Sequence, residues 1–77
     1  MERSPFLEEI RMEGRIQMAR ADVVEVLEAR FPGAVPPEAI EAIRRETQLP
    51  LLQQSHRLAI TVKSPDEVRV FLQQGGK

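Results

Sequence analysis

Residues 5–30, PFLEEIRMEGRIQMARADVVEVLEAR, carry apolar side chains at helical spacing on two different sides. Their only proline is at the start, where a helix tolerates it. The run predicts one helix of about 26 residues, roughly 39 Å long at 1.5 Å per residue. Met12, Ile16, Ala19, Val23, Val26 and Leu27 share one side, in a four-three-four-three rhythm resembling a short heptad seam. Phe6, Leu7, Ile10, Gly14, Ala21 and Val24 fall near the opposite side. A helix in a small monomer needs one buried face, and a second apolar face asks for a partner.

The rest of the chain predicts only short elements. Ser4 is placed to cap the first helix. Phe31-Pro32-Gly33 ends it, because proline disfavours helix in the residue before it. PGAVPP (32–37) forms a stiff turn, and Pro37 opens a second helix over about 37–46 with Ile40 and Ile43 as its ridge. A third helix spans about 49–62, with Leu49, Leu52, Ala59 and Val62 on one side and Leu51 and Leu58 beside them. Within it, Leu58-Ala59-Ile60-Thr61-Val62 alternates and is β-branched, which also fits a strand. A lone strand would have no partner in this chain, so the helical reading is kept. Ser64-Pro65-Asp66-Glu67 has the form of a capping box: serine caps, proline takes the first position and Glu67 reaches back. The fourth helix, about 65–74, buries Val68, Phe71 and Leu72 and stops at Gly75-Gly76. The expected fold is all-α: a long N-terminal helix, three short helices, and a small bundle completed by dimerisation.

Size supports that last expectation. A 77-residue chain makes one domain at most. At this size only about 60% of the unfolded chain's surface is buried. Small folds therefore lean on disulfides, a metal or oligomerisation. Cysteine is absent and His56 is the only histidine, which argues against disulfides and a structural zinc site. Self-association is left. The three short helices can cover only part of the long one. The division expected is that its C-terminal half packs on its own chain and its N-terminal half pairs with a second copy. Gly14 costs roughly 1 kcal/mol relative to alanine in a helix, and a close helix–helix approach would account for it.

Charge and composition narrow the function classes. A formal net charge of −1 supplies no overall drive toward DNA, RNA or anionic membrane. Three phenylalanines, with no Tyr or Trp, leave almost nothing on which single-stranded bases could stack. No apolar run approaches the roughly 18 residues of a membrane span. Met1 is followed by charged residues and not by an apolar stretch, so the expected location is the cytoplasm.

Chemistry-bearing groups are few. Glu8, Glu9 and Glu13 are neighbours on the first helix, but carboxylates without a further ligand or pocket read as a solvated face, paired with Arg11 and Arg15. A general base at His56 would need a nucleophile or orienting acid beside it, and Ser55, one residue away, diverges by about 100°. No phosphate loop, dinucleotide fingerprint or nucleophile elbow occurs. The expectation is therefore no enzyme, no catalytic residue, no metal and no cofactor.

The run Glu2-Arg3-Ser4-Pro5-Phe6-Leu7-Glu8-Glu9-Ile10-Arg11-Met12-Glu13-Gly14-Arg15 resembles the segment that follows the nuclease domain in the recombination-promoting nuclease (Rpn) family, the transposase-like PD-(D/E)XK proteins. Those carry an "E-S-P…E-I…E-G-R" stretch, a long helix ending in an "R-R-F-G"-like motif, and a helical tail. The counterparts here are Arg30-Phe31-Pro32-Gly33, Pro37 with Ile40 and Ile43, Leu49 and Leu52, then Ser64, Glu67 and Leu72. The chain departs from the pattern in its single E-G-R copy, in Pro32 within the R-F-G match, and in Pro50. The resemblance implies that the nuclease residues, paired acids and a lysine around magnesium, belong upstream of this chain. It would then be a stand-alone tail, a product of internal initiation or a cut piece.

The resemblance implies a non-catalytic oligomerisation and regulatory module. Its partner would be itself, as a homodimer, and also a related full-length nuclease that it binds and restrains. The expected interface is Phe6, Leu7, Ile10, Gly14, Ala21 and Val24. The alternative is a small DNA-binding regulator using helices two and three as a helix-turn-helix, motivated by Arg44, Arg45, Arg57 and Lys63.

Overall fold

The structure, a computed structural model, describes residues 5–76, with side-chain surroundings from Glu9 onward. The Ser4 cap and the side chains of Phe6, Leu7 and Glu8 lie outside the described residues. The fold is all-α, with one long helix and three short ones: α1 (Pro5–Arg30), α2 (Pro37–Arg45), α3 (Leu49–Thr61) and α4 (Asp66–Gln73). The ambiguous segment resolves as helix through Thr61. Val62 is the extended cap, with its amide on the Leu58 carbonyl at 2.8 Å.

The chain direction follows from how the helices end. After Arg30, Phe31 and Pro32 break the helix, and Gly33 takes a φ of +73°. Only glycine adopts that φ without a steric penalty, and here it turns the chain back. α2 then returns along α1, so that its cap residue Glu46 arrives beside Arg20. α3 runs in the same direction as α1, starting next to Arg15 and Ala19 and finishing next to Arg30. α4 closes the bundle over α2 and α3.

The core is one cluster: Val23 and Leu27 of α1, Ile43 of α2, Leu52 and Ala59 of α3, Val62, and Val68 and Leu72 of α4. Ile16, Ala19 and Val26 pack against its edge, so most of the heptad-like seam is the core-facing side. Met12 is on the same seam but remains 46% exposed, because α3 begins too far along α1 to cover it. Ser55 is fully buried, and its hydroxyl donates to the Leu51 carbonyl at 2.8 Å. The core therefore holds a polar group without leaving it unsatisfied.

Two arginines of α1 join the ends of other helices to it. The last carbonyls of a helix have no intrahelical partner and carry partial negative charge. Arg20 Nε donates to the Glu46 carbonyl at the end of α2, at 2.8 Å. Arg30 Nη1 donates to the Ala59 and Val62 carbonyls at the end of α3, both at 2.7 Å. The Arg30 guanidinium also lies 4.9 Å from the centroid of the Phe31 ring. Glu46 has a second role. Its carboxylate accepts the Thr47 and Gln48 amides at 3.0 Å, holding the short α2–α3 connection.

α4 is built by local rules at both ends. Glu67 Oε2 accepts the Ser64 and Lys63 amides at 3.0 Å, and Ser64 Oγ accepts the Asp66 amide at 3.3 Å. Pro65 already has helical angles, so the serine sits where a cap belongs. At the far end Gly75 has φ +71°. The Gly76 amide donates to Phe71 and the Gly75 amide to Leu72, the paired bonds of a Schellman ending. Arg69 grips Asp66 with two hydrogen bonds, of 2.6 and 3.0 Å. That hydrogen bonding holds the Asp66 carboxyl below the usual aspartate range. The charge of Arg69 adds to the effect, and desolvation opposes it.

Leu27→Ala should lower unfolding free energy by about 2–5 kcal/mol through the cavity it opens. Arg30→Gln should lower it by about 1–2 kcal/mol through lost capping of α3. Urea titrations read as midpoint shifts at constant slope check both. The Asp66 contribution has a defined sign. A carboxyl whose pKa is lowered on folding stabilises the fold above its unfolded pKa, about 3.9. That contribution disappears as pH falls through the folded value. The unfolding midpoint should drop on acidification below about pH 4, and less steeply for Asp66→Asn.

Candidate interaction surface

The body formed by α2, α3 and α4 covers α1 only from Ile16 onward. Every described residue from Glu9 to Arg15 is exposed, so the first half of α1 projects from the bundle. The molecule measures 48 × 24 × 19 Å, and its radius of gyration is 13.7 Å. A compact chain of this length would have a radius of about 11.5 Å. Its accessible surface is 5649 Å². A compact monomer of this mass would expose about 4,800 Å², which leaves an excess of about 850 Å². One partner of a standard protein–protein interface buries about 800 Å².

The second apolar side of α1 lies opposite the core-facing Val23 and Leu27. Ile10 is 49% exposed and Met18 is 69% exposed. Gly14 is exposed between them and Ala21 is exposed one turn beyond Met18. An added Cβ at Gly14 would meet nothing of this chain within 4 Å, so the bundle itself does not require a glycine there. Ile10, Gly14, Met18 and Ala21 follow one another at steps of four, four and three residues and form one stripe. A shallow surface depression runs along it, bordered by Arg11, Arg15 and Gln17.

The six expected interface residues divide into three groups. Ile10, Gly14 and Ala21 lie on the exposed stripe. Val24 is half-buried and packs partly against its own core, at the edge of a groove between α1 and α2. The Phe6 and Leu7 side chains lie outside the described residues. Met18 is the residue that sequence reasoning missed, although its signal was present: it sits four residues after Gly14 and three before Ala21.

The other candidates do not assemble into a reactive site. Among the described residues, no group of three or more His, Asp or Glu side chains is placed to hold a metal ion. Glu9 and Glu13 are exposed on the projecting half of α1. His56 is half-buried in a groove between α1 and α3 that Asp22 and Arg57 also line. Ser55 is turned away into the core with its hydroxyl engaged by Leu51. No helix of the described chain is long and apolar enough to cross a membrane.

The four basic positions do not form one face. Arg44 borders the α1–α2 groove. Arg45 borders an α2–α4 groove and pairs with Glu41 at 2.6 Å. Arg57 faces the α1–α3 groove, and Lys63 follows α3. Comparison with known proteins finds no family model, no curated protein and no solved structure that matches the chain.

Because the stripe makes no contribution to the core, Met18→Asp should leave folding nearly unchanged. The expected shift in unfolding free energy is within about 0.5 kcal/mol, as for ordinary surface substitutions. Chemical denaturation at low protein concentration checks this, and a loss comparable to Leu27→Ala would place Met18 in the fold's own packing.

Proposed function

We propose that this chain is a non-catalytic helical module that associates with a second copy of itself through the outward stripe of α1. The observation that carries this reading is the pairing of a satisfied core on one side of α1 with Ile10, Gly14, Met18 and Ala21 exposed on the other. A large apolar side chain left in water on both sides of a glycine is a poor arrangement for an isolated surface. It suits a helix–helix contact in which the glycine lets the backbones approach. The excess surface is of the size one partner contributes to a stable interface.

The resemblance of the chain to the tail of recombination-promoting nucleases extends the reading. A module that pairs through a self-complementary face also pairs with any longer protein carrying the same face. Mixed assemblies would then form at the expense of nuclease–nuclease pairs, and the chain would restrain the enzyme by competition, without chemistry of its own. The cytoplasm is the location that fits this role.

Sedimentation equilibrium tests the first half. The wild-type chain should be dimeric at micromolar concentration. Ile10→Asp and Gly14→Leu should be monomeric with unchanged helicity, since neither side chain supports the core. A wild type that stays monomeric at every concentration sinks the proposal. For the second half, wild-type chain added to a full-length nuclease of the resembled family should slow DNA cleavage in a dose-dependent way. Ile10→Asp should not slow it. Equal cleavage with and without the wild-type chain overturns the regulatory role.

A further inference from the structure

We infer that Met18 is a peroxide-sensitive modification site, and that conversion of its thioether to the sulfoxide separates the paired chains. This inference rests on the self-association proposed above and adds its control. It is carried by where the chain exposes its sulfur.

The sequence contains three methionines and no cysteine. A peroxide therefore meets no thiol, and thioethers are the reactive sulfur of this chain. Met18 is the most exposed large apolar side chain among the described residues, at 69%, ahead of Ile10 and Met12. Its surroundings on the helix explain that exposure. A helical side chain leans over the preceding turn. One turn before Met18 on the stripe is Gly14, which has no side chain to shield the sulfur. Ala21, one turn after it, is nearly as small. Met18 also borders both the depression along the stripe and the groove between α1 and α3.

The reaction needs only a peroxide. The Met18 sulfur attacks one peroxide oxygen, an S–O bond forms and the O–O bond breaks. Sulfur gives up two electrons, and hydrogen peroxide is reduced to water. An apolar, flexible side chain becomes a polar one with an accepting oxygen. In the free chain water satisfies that oxygen, so the fold is indifferent to it. In the pair it would be withdrawn from water against Ile10, Gly14 and Ala21, none of which has a side-chain donor. Arg11, Arg15 and Gln17 border this stripe without lying on it. Burying a polar group without a partner is costly, so oxidation favours the separated chains. The linkage runs both ways: pairing covers the thioether and slows its oxidation.

Met12 supplies an internal comparison. It is exposed too, but it lies on the seam side of α1, away from the stripe. Its oxidation should leave pairing unchanged.

The wild-type chain, Met12→Leu and Met18→Leu are treated with hydrogen peroxide. Peptide mass spectrometry reads the oxidised positions, circular dichroism the helicity, and sedimentation equilibrium the association. Leucine is close to methionine in volume and helix propensity. After oxidation, wild type and Met12→Leu should pair about tenfold or more weakly at unchanged helicity. Met18→Leu should pair as it did before treatment. Met18→Gln, which carries a polar end without any peroxide, should pair as weakly as the oxidised wild type. In concentrated wild type, Met18 should oxidise more slowly than in dilute wild type, while Met12 should not change. A wild type that pairs equally well with Met18 fully oxidised overturns the site and leaves self-association standing. Equal loss of pairing in oxidised Met18→Leu, or full pairing of Met18→Gln, does the same. A wild type that is monomeric before treatment overturns both the site and the association it rests on.

Discussion

The ridge of Val23 and Leu27 on α1 is the constraint on which the other three helices depend. Isolated helices shorter than about 12–15 residues are marginal in water. α2 has nine residues and α4 has eight, so neither would persist alone. They exist because Ile43, Val68 and Leu72 are buried in the same cluster as Val23 and Leu27. α1 is long enough to hold its own form and to give the short helices a surface. The fold is a long template with three short elements condensed on one side of it.

That arrangement leaves carbonyl ends to be satisfied where short helices stop against a long one. Arg20 and Arg30 satisfy them at the ends of α2 and α3. Each bond combines a charged donor with the negative end of a helix, so the two arginines hold both position and direction. Arg30 links the end of α1 to the end of α3. That fixes α3 parallel to α1, and it fixes where along α1 the bundle begins. The exposed half of α1 is a consequence of the same register, because none of the described residues outside α1 reaches past Ile16 to cover it.

The exposed half is also where the functional reading lies. The stripe of Ile10, Gly14, Met18 and Ala21 is apolar, interrupted by a glycine, and makes no contribution to the core among the described residues, which is why the proposed self-association is placed there. The described residues offer no competing centre: His56 and Ser55 are turned apart, and the basic side chains are spread over separate grooves.

The sequence by itself determined the local features. The all-helical class, the long first helix and the break at Phe31-Pro32-Gly33 follow from periodicity and backbone preference within a few residues. So does the Ser64-Pro65-Asp66-Glu67 start of α4, whose hydrogen bonds close within four residues. The presence of two apolar sides on α1 was legible for the same reason. Only the tertiary structure decided which residues on those sides are used. Met12 keeps to the seam yet stays exposed, Val24 leans into the core, and Met18 joins the outward stripe, because the point where α3 starts along α1 sets each outcome. The capping roles of Arg20 and Arg30 were likewise invisible in the sequence: their partners lie 26 to 32 residues away, and no local pattern encodes a contact made only when the chain has turned back on itself.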